Sequence, residues 1–414
     1  MHLTSFKINS YRSCINTRFP LNKELTALIG ANGSGKSNIL NAIVLLTKLI
    51  KSRIDRDIDT STPKKCKIAV EIDCDGTPVQ IKADIVFETD ERNIDDVYAT
   101  DLKFNFQGIT NESAWVRFPF PFSPFHYQRQ FNFKFDEFLT MGELRRIAPF
   151  IDKSQKAILS NKKIMAVLSK ITDYLNSISY YSASQFSDPS RCPVSIELEE
   201  GRPVRRVRWI GHEQFILDLY KSYKEGNTQY KRYINTVGPD GIGLVNEIEF
   251  TEVEMPSSSY EVKTGGKINK VERTRLLIVP RITINDNELS PNQLSEGTFK
   301  TLALVFYILT DDSRLLLIEE PEVCVHHGLL NSIISLIETQ SKQKQIIMST
   351  HSDFVLDRLQ PENLLLVKRS QDKGTVANTL SSVMSKDNYK SLHTYLDRIG
   401  NLGEYWRETG FESE

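Results

Sequence analysis

Apolar side chains at Leu3, Phe6 and Ile8 predict a strand at the start of the chain, and the unbroken run Leu25-Thr26-Ala27-Leu28-Ile29 predicts a buried one. From residue 38 the apolar positions become 39, 40, 43, 46 and 50, the spacing of one helix face. Between 64 and 135 the period changes to two. Residues 67–72 and 79–87 alternate apolar and polar on either side of Asp75-Gly76, a good turn signal, so this region reads as an antiparallel β subdomain. Residues 118–135 are dense in Phe and Pro and read as a β edge or packed loop, or else as a strip that docks a partner. Residues 137–175 predict helix, and 178–185 look like a strand leading into a loop at Gln185. Later in the chain, 302–309 predicts an apolar helix, and 315–318, 346–348 and 364–367 predict short, wholly apolar strands, the last followed by a short helical tail. No long heptad run occurs, which excludes a long coiled-coil arm. The chain thus divides into 1–185, a helical and variable insertion over 186–270, and 271–414.

Composition narrows the class. The 414 residues carry 52 Lys+Arg against 53 Asp+Glu, a formal net charge of −1, with 40% hydrophobic and 9% aromatic residues. A real core is affordable, and disorder as the dominant state is excluded. No apolar run reaches the ~18 residues of a membrane helix, and Met1-His2-Leu3-Thr4-Ser5 lacks a signal-peptide pattern. The expectation is a soluble cytoplasmic protein with no membrane partner. Cys14, Cys66, Cys74, Cys192 and Cys324 form no CxxC pair and read as reduced thiols rather than a zinc knuckle or disulfide framework. With net charge near zero, nucleic acid would need a local patch. Within 201–233, Arg202, Arg205, Arg206, Arg208, Lys221, Lys224, Lys231 and Arg232 outnumber Glu213, Asp218 and Glu225 and interleave with Trp209, Tyr220, Tyr223, Tyr230 and Tyr233. That pattern suits DNA or RNA, and it also suits a solvated helix face.

The chemistry is concentrated at the turns that follow the apolar strands. After 25–29 stands Gly30-Ala31-Asn32-Gly33-Ser34-Gly35-Lys36-Ser37, which fits G-x-x-x-x-G-K-[ST] at every fixed position and has the strand, loop and helix context the pattern needs. The glycines let the backbone curl so that N–H groups converge on phosphates, and the helix N-terminus adds positive potential. Lys36 supplies a point charge between the β- and γ-phosphates, and Ser37 a hydroxyl for Mg²⁺. Downstream, Leu294-Ser295-Glu296-Gly297-Thr298 opens the 302–309 helix, where Ser295 alone would be a plain N-cap. The strand 315–318 ends in Glu319-Glu320-Pro321-Glu322. Two carboxylates at the carboxyl end of a central strand can hold Mg²⁺ and deprotonate an attacking water. The strand 346–348 ends in Ser349-Thr350-His351-Ser352, and a histidine there can bond a γ-phosphate, or serve only as a satisfied structural residue.

In this order the motifs resemble an ABC-type ATPase of the SMC, RecF and OLD-like branch, with residues 30–37 as Walker A, 294–298 as the signature, 315–320 as Walker B and His351 as the switch histidine. Phe6-x-Ile8-x-x-Tyr11-Arg12-Ser13 is also similar to that branch. The resemblance implies an α/β fold: an ABC-ATPase head with a mixed central sheet, an antiparallel β subdomain and a helical insertion. It implies ATP held by Arg12, Asn32, Gly33, Ser34, Gly35, Lys36, Ser37 and Asn38, and Mg²⁺ held by Ser37, Glu319 and the Q-loop candidate Gln185. Catalysis would fall to Glu320, His351 and Lys36. Ser295 and Gly297 would contact the nucleotide from a second copy, so a homodimer or higher oligomer is implied. Two departures stand out: Glu296 where many relatives have glycine, and Glu319 where the usual residue is aspartate. Glu-Glu followed by Pro-Glu is typical of OLD-like and anti-phage ATPases, and the chain looks most like the ATPase subunit of a Septu-type or retron-associated defence system. The resemblance then implies slow, regulatory hydrolysis and a separate nuclease partner, often of HNH type. No toprim or HNH constellation follows His351, and His326-His327 fall where the family places its D-loop. A RecF-like DNA-repair clamp is the alternative, and an active effector with the same fold is a third.

Overall fold

Alternation with a two-residue period folds here into antiparallel sheet. The computed structural model describes residues 1–49, 53–54, 65–89, 95–107, 115–117, 161–199, 211–262, 268–323, 325, 327–398 and 400–411. β1 (His2–Tyr11) pairs antiparallel with β2 (Cys14–Pro20), setting Phe6 opposite Phe19. Leu3, Phe6 and Ile8 are fully buried. β3 (Leu25–Ile29) follows, then α1 (Lys36–Val44). The apolar spacing predicts one helix on to residue 50; the structure instead narrows to a 3-10 turn over Leu45–Leu49, a common ending for an α-helix. After β4 (Arg53–Ile54), β5 (Lys65–Cys74) and β6 (Thr77–Thr89) form the expected hairpin. Asp75 and Gly76 turn it with φ of 53° and 88°, the two positive values of a type I′ turn. β7 (Asp95–Phe106) pairs with β6, and β8 (Val116–Arg117) with β7, completing a seven-stranded sheet. α2 (Lys162–Asn176), capped by the Asn161 side chain, buries Ile164, Leu168, Ile171 and Leu175 in the same core and leads into β9 (Ile178–Ser182). The rest of the expected 137–175 helix and the Phe- and Pro-rich 118–135 lie outside the described residues.

The chain forms two compact units: Met1–Tyr180 with Asp312–Glu320 and Ile337–Glu414, and Tyr181–Asp311 with Pro321–Leu336. Within the second unit, β10 (Ile196–Glu199) precedes α3 (His212–Glu225) and α4 (Thr228–Val237). Next comes a hairpin of β11 (Glu247–Val262) and β12 (Ile268–Ile284), in which every residue of β11 has a partner on β12. The sequence reading missed this hairpin, because its apolar positions change phase along β11. β13 (Asn287–Leu289) returns along β12, and α5 (Glu296–Thr310) follows. α5 is buried from Phe299 to Phe306, with Phe299 and Phe306 edge-on to Phe215. The hydroxyls of Tyr181 and Tyr233 donate to its carbonyls at Lys300 (3.0 Å) and Leu302 (3.3 Å).

The first unit holds the sheet on which the candidate residues stand. β14 (Leu315–Glu319), α6 (His327–Ser341), β15 (Gln345–Thr350), α7 (Asp353–Leu356), β16 (Leu364–Ser370) and β17 (Gly374–Thr379) follow in sequence, then α8 (Leu380–Val383), α9 (Lys386–Arg398) and α10 (Leu402–Thr409). The strand order is β17-β16-β3-β15-β14-β9. β14, β15, β3 and β16 run parallel, and β17 returns antiparallel along β16. β3 and β15 are buried at every position, as central parallel strands are. β17 is an addition to the expected strands: after 364–367 the sequence predicts only a helical tail. No helix among the described residues is long and apolar enough to cross a membrane. Cys14, Cys66, Cys74 and Cys192 are buried free thiols, and burial pushes Cys66 and Cys192 up to about 12.

Gln345 ties the start of β15 to three other segments. Its Nε2 donates to the carbonyls of Leu3 (2.8 Å) and Asn22 (2.7 Å), and its Oε1 accepts from Leu3 N (2.8 Å) and the Tyr174 hydroxyl (2.9 Å). At 3% exposure these groups have no water to fall back on. Gln345→Leu is expected to lower unfolding free energy by about 2–4 kcal/mol, since it leaves several buried groups unpaired. Urea denaturation followed by far-UV circular dichroism measures this.

Candidate functional site

Parallel register sets the site. Glu319 stands opposite Ser349, and Thr350 opposite Ile29, so β14, β15 and β3 end side by side. The residues immediately after each strand therefore gather along one edge: Gly30, Glu320 and His351.

The loop after β3 is shaped by its glycines. A Cβ on Gly30 would lie 2.2 Å from the Val367 carbonyl oxygen on β16. Gly35 has φ 106°, and a Cβ there would lie 2.1 Å from Thr375 Oγ1. α1 begins with Gly35 at its N-cap, no capping side chain and no acidic residue in its first turn, so its first N–H groups are left for an anion. Lys36 is 5% exposed, and its Nζ donates to the carbonyls of Gly30 (2.8 Å) and Ala31 (3.3 Å). Asn32, Gly33 and Ser37 are exposed. Ser34 Oγ and Arg12 Nε are buried without a hydrogen-bond partner. A close-fitting glycine loop, an uncapped helix start and unsatisfied donors beside it form a donor set that fits phosphate oxygens.

Arg12 reaches this region through its neighbours. It lies in the turn between β1 and β2 with φ 49°, its guanidinium 5.5 Å from the Tyr11 ring centroid. Next to it, Ser13 Oγ accepts from Asn38 Nδ2 at 2.7 Å and stands 2.7 Å from Thr375 Oγ1. Thr375, fully buried, also lies 3.1 Å from the Ser34 carbonyl, and its N–H donates to Ser13 O at 2.8 Å. Thr17 Oγ1 donates to Thr375 O at 2.6 Å. A strand near the C-terminus thus fastens the Arg12 turn to the glycine loop. The sequence reading missed Ser13 and Thr375 as site residues, since no motif contains Thr375 and its strand is weakly apolar.

Glu319 accepts a short hydrogen bond from the Tyr180 hydroxyl, which fixes one carboxylate oxygen. Glu320 has φ 48°, a left-handed conformation that costs a non-glycine residue about 1–3 kcal/mol. Its N–H donates to Ser349 O at 3.0 Å, which holds the bend. Glu320 Oε1 lies 3.5 Å from His351 Nδ1, both side chains partly exposed. No cluster of three or more His, Cys, Asp or Glu side chains able to hold a metal occurs among the described residues. A Mg²⁺ ion here would depend on one or two carboxylates plus phosphate oxygens, the usual arrangement for that ion.

The other candidates belong to the second unit. Ser295 is the N-cap of α5: its Oγ accepts from Thr298 N at 3.2 Å, and the residue is exposed. Glu296, the departure from glycine, places Oε1 2.6 Å from Nζ of Lys300, which is 3% exposed. That hydrogen bond holds the Glu296 carboxyl below its ordinary range, so its charge is matched inside the helix. Gln185 is exposed on the short 3-10 turn Ala183–Phe186, between buried Ala183 and Phe186. Of the basic and aromatic stretch, residues 201–210 lie outside the described residues. Tyr220, Tyr230 and Tyr233 are buried, Tyr233 completely, and so present no face for stacking a base; Tyr223 remains partly exposed. Their i, i+3 spacing marks the inner faces of α3 and α4.

Two family models match parts of the chain. Residues 1–187 match the family model described as "AAA ATPase domain", and residues 243–357 match the model described as "AAA domain, putative AbiEii toxin, Type IV TA system". The two matches support an ATPase of the AAA type. No curated protein matches the chain. Similar solved structures include an SmcHead bound to the C-winged helix domain of ScpA (13% identity, 91% of this chain and 97% of that chain, TM-score 0.44). The SMC head domain from Thermotoga maritima is 12% identical, over 91% and 98% of the two chains, with TM-score 0.40. An Smc head with an extended coiled coil, bound to the C-terminal domain of ScpA derived from Pyrococcus furiosus, is 12% identical over 96% and 100%, with TM-score 0.41.

Thr375→Val keeps the shape of the side chain and removes the hydroxyl that meets the Ser34 carbonyl and Ser13. The variant is expected to lose about 1–3 kcal/mol of stability. Its affinity for a fluorescent ATP analogue is expected to fall several-fold while circular dichroism stays unchanged; unaltered affinity would detach β17 from the loop's function.

Proposed function

We propose that this chain is a Mg²⁺-dependent ATPase that self-associates around bound ATP and uses hydrolysis to control a separate nuclease in anti-phage defence. One observation carries the ATPase part: a single sheet edge holds the Lys36 loop, the Glu319–Glu320 pair and His351, with Glu320 Oε1 3.5 Å from His351 Nδ1. The loop's N–H groups, Lys36 and Arg12 bind and orient the phosphates. Ser37, Glu319 and Gln185 would hold Mg²⁺, which would supply charge neutralisation to the phosphates. Glu320 takes the proton of the attacking water, and its bent backbone sets the carboxylate beyond the strand end. His351 orients that carboxylate and donates to the γ-phosphate.

Assembly follows from the signature. Ser295 and Gly297 sit at the exposed start of α5 and are assigned to the nucleotide of a second copy, where helix N–H groups add positive potential. The Lys300 ammonium offsets the one unfavourable charge there, Glu296. ATP binding then favours the closed assembly, and hydrolysis releases it. The defence context is supported by the toxin–antitoxin description of the model matching 243–357 and by the Glu-Glu-Pro-Glu ending of β14. The buried tyrosines of α3 and α4 weaken the case for a DNA clamp.

Glu320→Gln is expected to bind ATP, accumulate the associated form on size-exclusion chromatography and lose turnover by about 10²-fold or more. Parent-level hydrolysis would remove Glu320 as the base. Ser295→Arg is expected to abolish turnover while each subunit still binds nucleotide with parental affinity. If turnover persists, the trans assignment fails. Co-purification from the native host tests the nuclease partner directly.

A further inference from the structure

A second concentration of chemistry lies at the opposite edge of the same sheet. Lys23 and Glu24 lead into β3, Arg314 precedes β14, and Lys342 and Lys344 precede β15, so all stand at the N-terminal ends of parallel strands. Together with His2 they line a half-open cavity of about 330 Å³. The β15 strand separates it from His351 by six residues, roughly 20 Å at ~3.3 Å per residue. The cavity is therefore distinct from the glycine loop.

Its charge is one-sided. Four cationic side chains, Lys23, Arg314, Lys342 and Lys344, face one carboxylate, Glu24. Lys23 and Arg314 make no ion pair among the described residues, and Lys342 acts on the Glu338 carboxyl of α6, outside the lining. Lysines after a helix C-terminus can serve its dipole alone, and Lys342 and Lys344 follow α6. Lys23 and Arg314 come from other segments and converge on the same space, which that explanation does not cover. The floor is rigid. Gln345 is held by all four of the hydrogen bonds given above, Gln345 N donates to Arg314 O at 3.0 Å, and Ile346 N to Glu24 O at 2.7 Å. A fixed backbone holds the stems of these cations in place, so only the side chains remain to be ordered when a ligand arrives.

We propose that this cavity binds a phosphate-bearing anion, with Arg314 and Lys342 as its principal contacts and Lys23 and Lys344 completing the charge. The volume is at the small end of ligand sites, about 300–1,000 Å³, and suits a chain of two or three phosphates or the end of a nucleic-acid strand, not a duplex. Guanidinium and ammonium groups at one site match multiple phosphate oxygens.

Isothermal titration of the full chain with inorganic triphosphate tests this. Two sites per chain are expected in the parent protein, and one each in Lys36→Ala and in Arg314→Glu/Lys342→Glu, the remaining site of Lys36→Ala weakening as salt rises. Arg314→Glu/Lys342→Glu added to Lys36→Ala is expected to weaken that site at least about tenfold. Lys23→Glu provides an independent variant; retention of ATP-analogue binding at the glycine loop shows that the variants keeping Lys36 are folded, and an unchanged far-UV circular dichroism spectrum shows it for those carrying Lys36→Ala. No saturable binding to Lys36→Ala, or binding indifferent to the charge reversals, overturns the proposal. Displacement of triphosphate from Lys36→Ala by a single-stranded oligonucleotide of about 16 nucleotides identifies a nucleic-acid strand as the source of the phosphate. Triphosphate binding without displacement identifies a free anion.

Discussion

The pairing of β3 with β15 and of β15 with β14 is the constraint on which the candidate site depends. Each strand is short, and β15 and β3 are fully buried, so a slip in register would move polar residues such as Glu319 into the apolar interior. Correct register places three strand ends in one row. Chemistry that is scattered over more than three hundred residues of sequence is brought to one edge by backbone hydrogen bonds alone. The side chains then need only short reaches: a Tyr180 hydroxyl to Glu319, and Glu320 to His351.

A second layer of constraint acts on the glycine loop from outside the sheet's centre. Ser13, Asn38 and Thr375 come from a turn, a helix and an edge strand, and their polar groups meet next to Gly35. Gly35 lacks a side chain because Thr375 occupies the space one would fill. The bend at Arg12 and the bend at Glu320 share a left-handed backbone, and both are stabilised by neighbouring hydrogen bonds rather than by their own preferences. Such strain is tolerated where surroundings over-determine it.

The central strands were legible because a strand buried on both faces leaves an unbroken apolar run, and the glycine loop because its fixed positions are contiguous. The β5–β6 hairpin was legible from period two and Asp75-Gly76. β17 was not: Gly374-Thr375-Val376-Ala377-Asn378-Thr379 sits at a sheet edge and carries little apolar signal. Thr375 becomes a site residue only through contact with Ser13, more than 350 positions away. Tyr220, Tyr230 and Tyr233 look like stacking rings when read beside lysines, but helical geometry turns these three inward and leaves the lysines out. The basic cavity had no linear signature at all, since Lys23, Arg314 and Lys342 lie on segments that only the sheet brings together.

The position of β3 between β15 and β16 also bears on how the chain is made. β3 leaves the ribosome before both of its neighbours, which are synthesised more than three hundred residues later. At roughly 5–20 residues per second, a mostly apolar segment waits tens of seconds for its partners. During that interval its open hydrogen-bonding edges can recruit other nascent chains.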